Sequence, residues 1–204
     1  MTDRPLHLTG RDDADLLLAA DPNALLIGMV LDQQIPMEKA FAGPAVLAQR
    51  MGSLDVRAIA AADPEAFRVI FAGPPAVHRF PGSMAARVQS VCRILVEEYD
   101  ANAAQLWNGV DTGTELHRRI AALPGFGAQK AAIFVALLGK QYGVTPRGWR
   151  EAAGAYGEQG SHRSVADVVD AQSLNAVRAS KKAAKAESKA ADRPATGRTA
   201  APGR

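Results

Sequence analysis

Cysteine is nearly missing from this chain: Cys92 is the only one among 204 residues. A single thiol excludes an intramolecular disulfide, a cysteine-rich zinc site and a cysteine-ligated iron–sulfur cluster. Such usage fits a reducing compartment, so a cytoplasmic protein is expected, nucleoid-associated if bacterial. Long apolar runs are missing too. No stretch approaches the roughly 18 consecutive apolar residues that a membrane span needs, and Met1 to Pro5 shows no charged-then-apolar leader pattern. We therefore expect no membrane partner. Alternating β-branched runs, the mark of strands, are scarce. His7, His78, His117 and His162 are too scattered for a metal site by spacing, and neither metal nor cofactor is expected.

Most of the chain also lacks an excess of either charge. From Ala176 to Arg204 eight basic residues face two acidic ones, a net of +6 within a total of +3, so the remainder carries −3. Any anionic partner of the folded part must meet a local patch rather than a global field. The Ala/Lys-rich end, residues 176–204, reads as nascent helix at first and disordered from about Asp192. It has the balance of a non-specific DNA-binding arm that acts by counterion release; a solubilising terminus is the alternative.

What is present reads as helices punctuated by Pro and Gly, hence an all-α chain. Asp21-Pro22 caps an apolar helix that ends near Gln33-Gln34, before Pro36. A second helix follows Pro36 and breaks at Gly43-Pro44, and Ser53 and Asp63-Pro64 read as caps of two short helices. After a turn and cap at Phe80-Pro81-Gly82-Ser83, residues Ala85, Val88, Val91, Cys92, Leu95 and Val96 share one face, with Arg87 and Arg93 off it. Helices over about Thr114–Ala122 and Ala128–Lys140 flank Leu123-Pro124-Gly125-Phe126-Gly127. Past Tyr142 the periodicity fades until a short helical piece at Ser164–Val169.

A Gly-x-Gly turn between helices leaves the first N–H groups of the second helix unpaired at the positive end of its dipole, and the glycines let an anion approach the backbone. This is a phosphate grip that carries no sequence information. The segment Leu123 to Ala131 resembles the helix-hairpin-helix of the HhH-GPD superfamily of base-excision DNA glycosylases, the endonuclease III-like group. Leu26-Ile-Gly-Met-Val-Leu-Asp-Gln-Gln34 resembles that family's early helix, and Ser83 to Leu95 the helix between the two. The resemblance implies a two-lobed helical domain over residues 12–170, with the helix-hairpin-helix at about 114–140 and the basic tail behind it. It implies double-stranded DNA as partner and a monomer.

The resemblance also implies roles. Gln34, or Gln33 beside it, matches a side chain that enters the duplex where a nucleotide is extruded. Asp32 either caps a neighbouring helix or lines the base pocket. The hairpin residues Leu123, Pro124, Gly125, Phe126 and Gly127, with Lys130, would hold phosphate. Family members that also cut the strand carry a lysine two residues after the second hairpin glycine; here that position is Gln129. Lys130 stands about 100° further round the helix and is expected to meet phosphate or solvent. The implied enzyme is monofunctional, a hydrolase of the N-glycosidic bond. The family's later Asp has no counterpart; Glu151 or Asp167 replaces it, or catalysis is lost and a DNA-binding or damage-recognition protein remains. Trp149, with Arg147 and Arg150, forms a base-stacking cluster or a core anchor, and Tyr142 and Tyr156 carry the same alternatives.

Overall fold

In the computed structural model, which describes residues 6–191, the chain folds as ten α-helices joined by short loops and 3-10 turns, with no strand among the described residues. The helices are α1 (Asp12–Ala20), α2 (Pro22–Leu31), α3 (Met37–Met51), α4 (Val56–Ala61), α5 (Pro64–Ala72), α6 (Pro81–Glu98), α7 (Gly113–Ala121), α8 (Ala128–Gln141), α9 (Trp149–Ala153) and α10 (Ala171–Ala191). Short 3-10 turns lie at Ala103–Leu106, Gly154–Tyr156 and Val165–Asp167. No single described helix is long and apolar enough to cross a membrane.

The helices fall into two groups. In one, α3, α4 and α5 pack with α2 and α6; in the other, α7 and α8 pack together with α9, the Val165–Asp167 turn and the start of α10. Helix α2 lies at the junction. Every residue from Ala24 to Leu31 is buried, so it has no solvent face, as its unbroken apolar run requires. Asp21 caps it, accepting from the Asn23 N–H at 2.8 Å. Tyr142 at the end of α8 ties the second group to α1, which packs on α2 and α3 of the first, by donating its hydroxyl to the Ala19 carbonyl at 3.2 Å.

Three local expectations are corrected. Helix α3 does not break at Gly43-Pro44; both residues are buried, and Gly43 leaves room only for the Leu31 and Val77 side chains. Tertiary packing there offsets the hydrogen bond that Pro44 cannot donate. The cap of α4 is Asp55 rather than Ser53, its carboxylate accepting from the Arg57 N–H at 2.8 Å. Helix α6 begins at Pro81, so Ser83 lies in its first turn.

The basic end starts as ordered structure. Helix α10 runs to Ala191, Val177 is 1% exposed, and Arg178 is ion-paired with Glu38 at the start of α3. The stretch from Asp192 onward lies outside the described residues.

Candidate functional site

The hairpin is built as its residues dictate. Gly125 has φ +84°, a left-handed conformation that glycine adopts without strain. The Phe126 N–H closes the turn on the Leu123 carbonyl at 3.0 Å. Leu123 and Phe126 are buried, and Phe126 packs on Phe134 of α8 with ring centroids 6.0 Å apart. These two side chains anchor the turn, while Gly125, Gly127 and Ala128 stay open to solvent. Gly127 begins α8 with no side-chain cap, and the first intrahelical bond is Ala131 N–H to the Gly127 carbonyl. The N–H groups ahead of it are left for an anion.

Opposite the hairpin stands the C-terminal end of α2. The Lys130 Nζ crosses from α8 and donates to the Val30 carbonyl at 3.0 Å, passing 5.3 Å from the Phe126 ring centroid. Burial pulls its amine down to about 8; the Asp32 carboxylate raises it and the Arg87 guanidinium lowers it. Asp32 is the residue at which α2 ends. Burial raises its carboxyl above the ordinary carboxylate value, the Lys181 and Lys130 cations opposing that rise. Among the described residues its carboxylate accepts no hydrogen bond. It opens on a pocket of about 440 Å³ between α2, α3 and α10, walled also by Ile35, Met37, Val177 and Lys181.

Gln33 and Gln34 part company. The Gln33 amide donates to the Val30 carbonyl at 3.1 Å and accepts from Arg87 at 2.9 Å, while its backbone carbonyl meets His78 Nε2 at 2.9 Å. Because His78 Nδ1 accepts from the Phe80 N–H, its Nε2 carries the proton and donates to Gln33. Burial lowers the His78 pKa, which favours this neutral form. Gln33 is thus locked. Gln34 is exposed at φ +54°, a strained backbone for a residue with a Cβ. At the start of α6, joined to the Gln33 backbone through His78, Phe80 is 42% exposed with the Arg79 guanidinium 4.6 Å from its ring centroid.

A family model described as HhH-GPD superfamily base excision DNA repair protein matches residues 27–194. The chain belongs to that superfamily. No curated protein and no solved structure gives a significant match to it.

The HhH-GPD frame shows which sequence expectations meet and which do not. Lys130 and Gln33 join the hairpin side to the end of α2, where Asp32 and Gln34 flank Gln33 in the chain; Gln129, Trp149, Glu151 and Asp167 make their contacts elsewhere. Lys130, expected at phosphate or solvent, turns its amine inward to the Val30 carbonyl, with the Asp32 carboxylate near it. Gln129 faces the other way, donating to the Tyr156 hydroxyl at 2.8 Å. Trp149 is a core anchor, 8% exposed and seated on Gly139 near the C-terminal end of α8, where any Cβ would collide with its ring. Arg150 stacks 4.4 Å from its centroid and donates to the Gly157 carbonyl. Tyr142 is equally internal.

Among the described residues neither suggested catalytic carboxylate is hydrogen-bonded to the residues at the end of α2 or lines the pocket beside Asp32. Asp167 is closed off: one oxygen accepts from Lys140 at 2.6 Å and Ser161 at 3.0 Å, the other from the Arg163 and Ser164 N–H groups at 2.8 and 3.1 Å. Glu151 is exposed on α9 beside Arg150, Glu158 and Gln159. Sequence reasoning missed Phe80, Arg87 and His78. Only Phe80 had a readable signal, an aromatic directly before a Pro-Gly helix start, where it cannot face the core of the helix that follows. Among the described residues no three His, Cys, Asp or Glu gather as a metal-ligand set.

Proposed function

We propose that this base-excision repair protein is a monofunctional DNA glycosylase that removes a damaged or mismatched base from double-stranded DNA by hydrolysing the N-glycosidic bond. The observation that carries this reading is the meeting of an uncapped hairpin helix start with the open polar end of α2. The hairpin N–H groups hold a backbone phosphate, and Gln34 enters the space of the extruded nucleotide. Phe80, with Arg79 on its face, stacks on the exposed neighbouring base. Gln129 at the position where strand-cutting relatives carry lysine favours hydrolysis by water.

One observation favours a second reading. The Lys130 amine, drawn down to about 8, is a usable nucleophile, and its attack on the sugar would give strand cleavage through a Schiff base. A single assay tests both. Duplexes carrying a panel of damaged and mismatched bases are incubated with the full chain and analysed with and without alkali. Release of a base with strand breaks only after alkali is the expected result. Breaks without alkali, with borohydride trapping abolished in Lys130→Met, would establish the second reading. Tight duplex binding with no base released would leave a damage-recognition protein.

A further inference from the structure

We propose that Asp32 supplies the carboxylate of the hydrolysis, stabilising the positive charge that develops at C1′ and taking the proton of the attacking water. The inference rests on the glycosylase reading and deepens it.

Four independent observations converge on this residue. The first is its cost to the fold. Asp32 ends α2, where the helix dipole is negative, and burial penalises its charge further. A structural residue at such a position would be neutral or basic. The second is its freedom: among the described residues the carboxylate has no hydrogen bond, although Lys130 and Lys181 lie near enough to favour its charged form without being in ion-pair contact. Third is its place. It opens on the pocket beneath α10, and it precedes Gln34 by two residues, a span of at most about 7 Å. The sugar of a nucleotide displaced by Gln34 therefore comes within side-chain reach of Asp32. The fourth is elimination: Glu38 in the same pocket is held by Arg178, Asp167 is closed, and Glu151 is exposed and lines a different pocket.

The chemistry balances with water alone. As the C1′–N bond lengthens, its electron pair leaves with the base nitrogen and the sugar takes on oxocarbenium character, which a nearby anion stabilises. The water oxygen forms the new bond to C1′, one of its protons passes to Asp32, and the departing nitrogen takes a proton from solvent. One water has been added across the bond.

The test uses Asp32→Asn, which keeps the shape and removes the charge. The probes are two duplexes with stable sugar analogues, one bearing a cationic pyrrolidine in place of the deoxyribose and one a neutral tetrahydrofuran. The parent chain is expected to bind the cationic duplex at least about 30-fold tighter, and Asp32→Asn to reduce that preference to about threefold or less while holding the neutral duplex as the parent does. Where the panel identifies a released base, single-turnover release should fall about 100-fold or more in the variant. A parent without cationic preference, or a variant that keeps it, overturns the assignment whether or not any base is released. Failure of the panel alone overturns the glycosylase reading instead. Asp32→Asn should also unfold no earlier than the parent, which separates a missing charge from a damaged fold.

Discussion

Helix α8 carries a lysine near each end, and each is matched with an aspartate, but the two couples are built oppositely. At the C-terminal end Lys140 sits 2.6 Å from Asp167, and the side chains are 14% and 3% exposed. Lys140 also donates to the Glu158 carbonyl and to the Ser161 hydroxyl, and Asp167 has four donors. At the N-terminal end Lys130 makes one hydrogen bond, to a backbone carbonyl, and Asp32 makes none among the described residues. The closed couple ties the chain after α9 back onto α8. The open couple keeps two charges half-buried, with Asp32 lining a pocket, an arrangement a fold does not need and a polar substrate can use.

The sharpest contrast comes from removing each aspartate. Asp167→Ala leaves a buried ammonium without its anion, and should cost about 3–5 kcal/mol in denaturant unfolding. Asp32→Asn should instead stabilise by about 0.3–1 kcal/mol, the range for relieving a misplaced charge at a helix end. The sign follows from linkage. A folded pKa raised above the ordinary 3.8 means that the native state disfavours the charged form, so the gain from Asn is full above the raised value and vanishes below about pH 3.8. Equal destabilisation by both substitutions would erase the distinction between the couples.

Truncation at Ala176 tests whether the open couple is sheltered by α10. It removes buried Val177, the Arg178 partner of Glu38, and Lys181, whose charge reaches Asp32. We expect duplex binding to weaken about tenfold or more, with a log-log salt slope shallower by about 0.9 for each DNA phosphate that is no longer neutralised. An unchanged slope would remove the basic helix from the interface. A smaller effect, on the order of 1 kcal/mol, is expected at Lys130. Because its amine is drawn down to about 8 from an ordinary 10.5, the folded parent holds fewer protons than the unfolded chain between those values. The parent should therefore gain stability relative to Lys130→Met as pH rises from about 8 to 10.5, followed by thermal unfolding.

How far the sequence could reach is visible in the same helix. The hairpin was legible because Pro-Gly-x-Gly between two apolar periodicities has few backbone solutions, and the all-α architecture was legible because helical spacing repeats along most of the chain. The apolar run Ala24 to Leu31 likewise announced a helix buried on every side. The direction of Lys130 was not legible, since a lysine in the first turn of a helix points wherever tertiary partners draw it, and its partner Val30 lies 100 residues away. Asp32 and Asp167 were indistinguishable as letters. Their difference lies in donors brought together from distant loops for one and withheld from the other. Trp149 stayed open between two readings for a related reason: the Arg residues around it suggested a stacking surface, while the space it fills depends on the missing side chains of Gly113 and Gly139.

The smallest predicted effect belongs to Glu151, and it is informative because it is small. The glutamate is the first carboxylate after the place where the family carries its later Asp, yet it lies exposed on α9, next to Arg150, whose guanidinium is occupied by the Trp149 ring and the Gly157 carbonyl. An exposed carboxylate with no part in a cap or a closed pair contributes within about 0.5 kcal/mol to stability. Glu151→Gln should therefore shift the unfolding midpoint negligibly, keep the preference for the cationic sugar duplex, and leave single-turnover release within about twofold of the parent. A large drop in release in Glu151→Gln, with cationic preference intact, would mean that α9 closes over bound DNA and brings a second carboxylate to the sugar. The open couple would then stabilise charge while another residue handles the water. Unchanged release in Glu151→Gln alongside abolished release in Asp32→Asn leaves the end of α2 as the source of the catalytic anion.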